Sequence, residues 1–138
     1  MVLFRALVAD TDGAFSLFEC RIAPQQGALP HLEHNVDEAF FVLEGMFVVQ
    51  VEEHQHHLGR GDFAFVPKLI PHSFLNSGTE EGRLLIMTLP GRFHERFFTE
   101  IGESVNDLKG PLPTAPPDVA KIIAAAQRYG IEVLPPSS

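Results

Sequence analysis

Short apolar stretches, broken at close intervals by Gly, Pro, Asn and Asp, run through the first ninety or so residues. Residues 2–9 and 15–22 are β-prone runs on either side of the turn cluster Asp10-Thr11-Asp12-Gly13. Residues 24–30, from Pro24 to Pro30, read as a loop. Residues 38–44 form a strand ending at Gly45, residues 46–51 another, and the polar residues 52–57 a hairpin tip. Gly59-Arg60-Gly61-Asp62 turns the chain into residues 63–66, which Pro67 stops. Residues 72–75 and 83–89 complete the set, with Asn76-Ser77-Gly78-Thr79 between them. Many short strands at regular spacing predict a β-sandwich or barrel. Within residues 38–44, Glu38, Phe40 and Val42 share a parity that points inward, whereas Phe41 and Leu43 face out.

The pattern changes after Pro90-Gly91. Phe93, Phe97, Phe98 and Ile101 recur at helical spacing over residues 92–101, and Gly102 supplies a stop. Residues 109–117 are too proline-rich for regular structure. Asp118 suits an N-cap for a helix over 119–129 with an apolar stripe of Ile122, Ile123 and Ala126, ended by Gly130. An apolar segment, 131–134, precedes Pro135-Pro136-Ser137-Ser138. The expected organisation is a β-barrel domain over residues 1–91 and a helical tail over 92–138 that packs on it.

Composition narrows the function. The 138 residues are 45% hydrophobic and 20% charged, the balance of an ordinary globular domain with one core. A single cysteine, Cys20, permits neither an internal disulfide nor a cysteine-based zinc site, and reads as a small buried hydrophobe. Eighteen acidic against ten basic residues give a net charge of −8. A phosphate backbone would be repelled, so nucleic acid is not an expected partner. No apolar run is long enough to span a bilayer, so no membrane partner is expected either. The N-terminus reaches Arg5, Asp10 and Asp12 without the layout of a secretory signal. The expectation is a cytoplasmic domain whose partner is a small molecule.

Seven histidines mark where the chemistry lies. His31 and Glu33 are two apart, so an extended chain points both to one side and His34 to the other, unless a bulge intervenes. Glu38 opens the next strand, and His72 follows Pro71 at the entry to a later one. Two imidazoles with one or two carboxylates suit Fe, Mn, Ni, Co, Cu or Zn better than Ca or Mg. His54, His56 and His57 lie beside Glu52, Glu53 and Gln55 and read as a solvated patch. His94, on the tail helix, reads as a surface residue.

His31-Leu32-Glu33-His34-Asn35-Val36-Asp37-Glu38, running on to Gly45, resembles the first motif of the cupin family: His-x-His, then Glu, then Gly. Gly61-Asp62, Pro67, Pro71-His72 and Asn76 resemble its second motif, and residues 46–60 are a separation typical of small single-domain members. The resemblance covers roughly residues 15–90. Pro90-Gly91-Arg92-Phe93 with Arg96-Phe97-Phe98 is similar to the tail of small cupins described as quercetin dioxygenase-like. The fold this implies is all-β, a double-stranded β-helix (jelly-roll) barrel with a short C-terminal helical tail.

The resemblance implies one divalent transition metal per chain, with His31, Glu38 and His72 as ligands. Glu33 stands where the family has its second histidine, and three arrangements follow. Glu33 itself binds, giving the set His31, Glu33, Glu38 and His72; or His34 swings in through a bulge; or the site is weak or empty. Leu69 replaces the glycine usual before the second-motif histidine. The implied activity is a metal-dependent dioxygenase acting on a small enol or aromatic substrate, with Glu38 as ligand and catalytic base. A non-catalytic binder of a metal or small ligand, or an isomerase, uses the same residues. Pairing of two chains through their sheets into a homodimer is also implied.

Overall fold

The computed structural model describes residues 1–102, 107–114 and 116–135. Ala115 of the proline-rich loop and residues 136–138 lie outside the described residues. Two five-stranded antiparallel sheets face each other. One has the order β1 (Val2–Ala6), β2 (Ser16–Ile22), β9 (Gly82–Leu89), β4 (Asp37–Glu44), β7 (Phe63–Val66). The other runs β10 (Ile131–Val133), β3 (Gly27–Glu33), β8 (His72–Asn76), β5 (Phe47–Val51), β6 (His54–Leu58). Three helices accompany them among the described residues: α1 (Val8–Thr11), α2 (Phe93–Ile101) and α3 (Val119–Arg128). None is long and apolar enough to cross a membrane.

Period-two alternation builds the interior in rungs. In the first sheet, Cys20 pairs across Leu84 to Val42, and Phe18 across Ile86 to Phe40 and Ala64. Phe18, Phe40, Val42 and Leu84 are fully buried, each stabilising the fold by roughly 1.5–3 kcal/mol through apolar burial. The next rung toward one end of the barrel breaks the apolar pattern: Ser16, Thr88 and Glu38 stand side by side, ending on Val66. The same change occurs across the barrel, where Phe74 and Val49 give way to His31, His72 and Val51. The polar ends of the two sheets thus face each other at one mouth.

Several local differences from the sequence reading have physical causes. Residues 27–30 join β3 although Pro30 lacks an N–H, because Pro30 falls in a bulge where the register slips between Ala28 and His31. Gly27 permits the tight start of that strand, since a Cβ there would run into the Phe74 carbonyl. Residues 54–58 form edge strand β6 rather than a tip, the turn falling on Glu52 with φ 54°. Residues 131–133 become β10, which lies against β3, with Ile131 opposite Glu33 and Val133 opposite His31. Residues 8–11 close into the short helix α1 instead of extending the first strand.

The tail helices follow their caps and apolar stripes. Asp118 accepts from the Lys121 N–H at 3.1 Å, and Gly130 takes φ 76° to turn the chain into β10. Phe97 of α2 packs with Ala125, Ala126 and Ile131, while Phe98 reaches the barrel core. The N–H of Val8 donates to Glu95 at 2.9 Å, tying α2 to α1.

Candidate metal centre

His31, Glu33, Glu38 and His72 meet at the polar mouth, with one donor atom from each lying within 4.8 Å of the others. His31 and His72 stand opposite each other on β3 and β8, their ring centroids 4.3 Å apart. Glu33 follows His31 on the same side of β3, and Glu38 enters from β4 in the facing sheet. The Nε2 atom of His31 lies 3.2 Å from Glu33 Oε1 and 3.7 Å from Glu38 Oε1. His72 Nε2 lies 3.1 Å from Glu38 Oε1. Side-chain exposure is 12% for His31 and 5% or less for the other three, so two carboxylates sit in a place that would otherwise disfavour charge.

The backbone holds these groups in place. His31 Nδ1 donates to the Leu29 carbonyl at 2.7 Å, and His72 Nδ1 donates to the Ile70 carbonyl at 2.9 Å. A carbonyl only accepts, so each Nδ1 carries a hydrogen and each Nε2 is the atom presented to the cluster. The N–H of Leu69 donates to the Glu33 carbonyl at 2.7 Å, joining the turn before His72 to the strand that carries Glu33. Leu69 adopts φ 69°, the left-handed conformation that the usual glycine would supply without strain. The turn therefore keeps its shape with a leucine in it.

Charge is balanced within the group. Burial pushes the His31 pKa down, but hydrogen bonds and charge from Glu33 and Glu38 outweigh it and lift it to about 10. Burial alone would raise Glu38, yet His31 and His72 hold its carboxyl well below the usual carboxylate range. The donor set fits a transition metal ion. Two Nε2 atoms with backbone-anchored rings and two carboxylates form a compact set of mixed nitrogen and oxygen ligands, and two negative charges would leave a divalent ion neutral overall. Such an ion would take the place of protons now shared between imidazole and carboxylate.

Other sequence candidates are placed elsewhere. His34 is about half exposed, with Nε2 3.5 Å from Glu132 on β10, and does not turn into the group. His54, His56 and His57 are exposed on edge strand β6. Cys20 is buried, and desolvation pushes its thiol up to about 12, which leaves it unreactive.

His94 is buried, not on the surface. Read from the sequence as a surface residue, it is 5% exposed, and its Nε2 lies 3.1 Å from Glu33 Oε1. Burial opposes charge on its ring, but Glu33 more than offsets this and holds its pKa above the ordinary imidazole value. The signal was its spacing: residues 94, 97, 98 and 101 follow the i, i+3, i+4, i+7 rule, so His94 belongs to the stripe that α2 buries. Thr88, opposite Glu38 on β9, has a buried hydroxyl without a hydrogen-bond partner among the described residues.

Residues 18–88, just over half of the chain, match the family described as Cupin domain. The chain belongs to the cupin family. Among solved structures, KdgF from Halomonas sp. superposes with a TM-score of 0.60 at 18% identity, covering 66% of this chain and 78% of that one. TT1209 from Thermus thermophilus gives 0.55 at 29% identity, covering 58% and 76%. The uncharacterised protein MJ1618 of Methanocaldococcus jannaschii is 25% identical over 80 residues. That match spans 58% of this cupin and 64% of the relative. The family match ends at residue 88, so His94 lies beyond it.

Proposed function

We propose that this cupin holds one divalent transition metal ion through His31, Glu33, Glu38 and His72 and acts as an oxidoreductase on a small enol or aromatic substrate, resembling quercetin-type dioxygenases. The observation that carries the reading is the convergence of two backbone-anchored Nε2 atoms with two buried carboxylates at the barrel mouth. Two imidazoles and a carboxylate form the set used by non-haem iron oxygenases, which supports redox chemistry with O2. A bound ion of this kind would supply Lewis acidity and one-electron chemistry. His31 and His72 would hold it through neutral rings that the Leu29 and Ile70 carbonyls keep aligned. Glu38, ionised and beside His72, is the group that would accept the substrate's hydroxyl proton. A neutral centre favours a neutral substrate over an anionic one. In this reading two chains pair through the outer face of the first sheet, where Phe41, Phe63 and Phe65 are exposed.

One observation favours a second reading, a binder without turnover. The four side chains are nearly closed off from solvent, at 12% exposure or less. Two surface clefts, about 480 Å3 beside Val8, Asp12 and Arg92 and about 330 Å3 beside Glu95, Thr99 and Tyr129, lie away from them. Elemental analysis of the purified chain, followed by oxygen uptake with flavonols and small diketones, separates the two. About one transition ion per chain with substrate-dependent oxygen uptake supports the dioxygenase. The same ion content, with a ligand that stabilises but is never consumed, supports the binder. No ion in the wild type, even after reconstitution, overturns both.

A further inference from the structure

A buried imidazole with one polar contact needs a reason to be there. His94 lies among Phe18, Phe97 and Phe98, with ring centroids 6.1, 6.4 and 6.0 Å away. Its Nδ1 has no hydrogen-bond partner among the described residues, so Nε2 on Glu33 is the ring's one polar anchor there. An aromatic sleeve of this kind would suit a phenylalanine at least as well, and burying an imidazole there costs free energy unless the Glu33 bond offsets it. Glu33 is in turn the residue by which this chain departs from the His-x-His pattern. His31 touches it from within the group and His94 from the tail, 61 residues away along the chain.

We infer that His94 is a positioning residue of the metal centre: its Nε2–H fixes the Glu33 carboxylate, so that α2, a part of the tail outside the matched family region, helps to set the ligand geometry. The inference rests on the metal reading above. The carboxylate of Glu33 has free rotation about its last side-chain bonds unless something holds it, and His31 alone cannot both hold it and serve as a ligand. His94 does so from outside the four-residue group. Its own position is fixed by Phe98 against the barrel core, Phe97 against α3, and Glu95 against the Val8 N–H. Partners of metal ligands placed in this way contribute about 10- to 100-fold in metal affinity.

Cobalt(II) is the probe, titrated into full-length wild type, His94→Phe, His94→Leu and His94→Gln in competition with a chromophoric chelator. The d–d absorption bands are recorded alongside, and melting is followed in excess chelator. His94→Phe should keep a folded, sleeve-filling ring, weaken cobalt binding by about 10- to 100-fold, and shift the bands. His94→Gln, which retains an N–H donor, should restore affinity to within a fewfold of wild type. If His94→Phe fails to melt cooperatively, His94→Leu takes its place. Wild-type affinity and unchanged bands in the phenylalanine or leucine variant overturn the inference and leave the metal reading intact. So does an equal loss in the glutamine variant, since the N–H would then be irrelevant. Absence of cobalt bands in the wild type overturns the metal reading and this inference together.

Discussion

Metal binding at the barrel mouth, as proposed above, would appear as stability, because a ligand that binds only the folded chain shifts the folding equilibrium. At an ion concentration 100 times the dissociation constant the gain is about 2.7 kcal/mol. Unfolding entropy is roughly 2.1 cal/mol/K per residue, which for 138 residues is about 0.3 kcal/mol/K. The midpoint should therefore rise by about 9 °C with saturating ion. The informative variant is Glu38→Gln, which keeps the shape of the side chain and a bond to His72 but removes a charged ligand atom. Substitution by alanine would leave His31 and His72 facing an empty space and confuse folding with binding. The chain has no tryptophan and one tyrosine, so calorimetry or far-ultraviolet circular dichroism is the suitable readout. Glu38→Gln should lose most of that shift at the same ion concentration. A triple variant, His54→Gln, His56→Gln and His57→Gln, should keep it. An undiminished shift in Glu38→Gln, or a shift lost only in the triple variant, would refute the assignment and move binding to the edge strand.

Three further predictions concern the scaffold. Glu19 is nearly buried; burial pushes its pKa up, but Arg5 at 2.7 Å and Arg83 at 2.6 Å outweigh this and hold it below its ordinary value. Its stabilisation is thus complete above about pH 4.3 and is lost as pH falls through the lower folded value, so Glu19→Gln should cost about 1 kcal/mol at pH 7 and flatten the acid limb of a denaturation series. An unaltered acid limb would count against the ion pairs. Leu69→Gly relieves a left-handed leucine that is half exposed; after the entropy of an added glycine, denaturant midpoints should show a gain of up to about 1 kcal/mol, and a loss would mean that the Leu69 side chain packs usefully. Phe63 and Phe65 are 61% and 51% exposed on the outer face of β7; on the pairing proposed above, the wild type sediments as a dimer and Phe63→Lys with Phe65→Lys should halve that mass, whereas a monomeric wild type or an unchanged dimer mass would exclude this face as the pairing surface.

Most of the barrel was legible because its strands are short, amphipathic and punctuated. Phe40 and Val42 share the parity of Glu38, so an inward Glu38 followed from the pleat alone. What escaped was whatever depended on partners distant in sequence. A three-residue run such as Ile131–Val133 carries too little pattern to distinguish a strand from a tail, and only β3 beside it makes it one. Pro30 argued against a strand until the bulge removed the need for its missing N–H. At the site, the His34 alternative closed because β3 stays extended through Glu33 and sends the next side chain toward β10. His94 escaped for a different reason: a lone histidine on an amphipathic helix is usually solvated, and its place on the buried stripe shows only when 94, 97, 98 and 101 are counted together.

Glu33 and His94 are best understood as two halves of one feature. A second carboxylate in a buried group adds a negative charge that a histidine there would not. Burying such a charge is costly unless it is paired. In this chain a partner for that carboxylate comes from α2, through His94. The tail then does more than cover apolar surface. It lays β10 along β3, with Ile131 opposite Glu33, and brings an imidazole to the carboxylate of the same residue. Reverting the motif should separate these contributions. Glu33→His would remove the need for His94, so His94→Phe should weaken metal binding in the wild type and have little effect in the Glu33→His background. Equal losses in both backgrounds would mean that α2 supports the barrel mouth as a whole and that the two residues are not coupled.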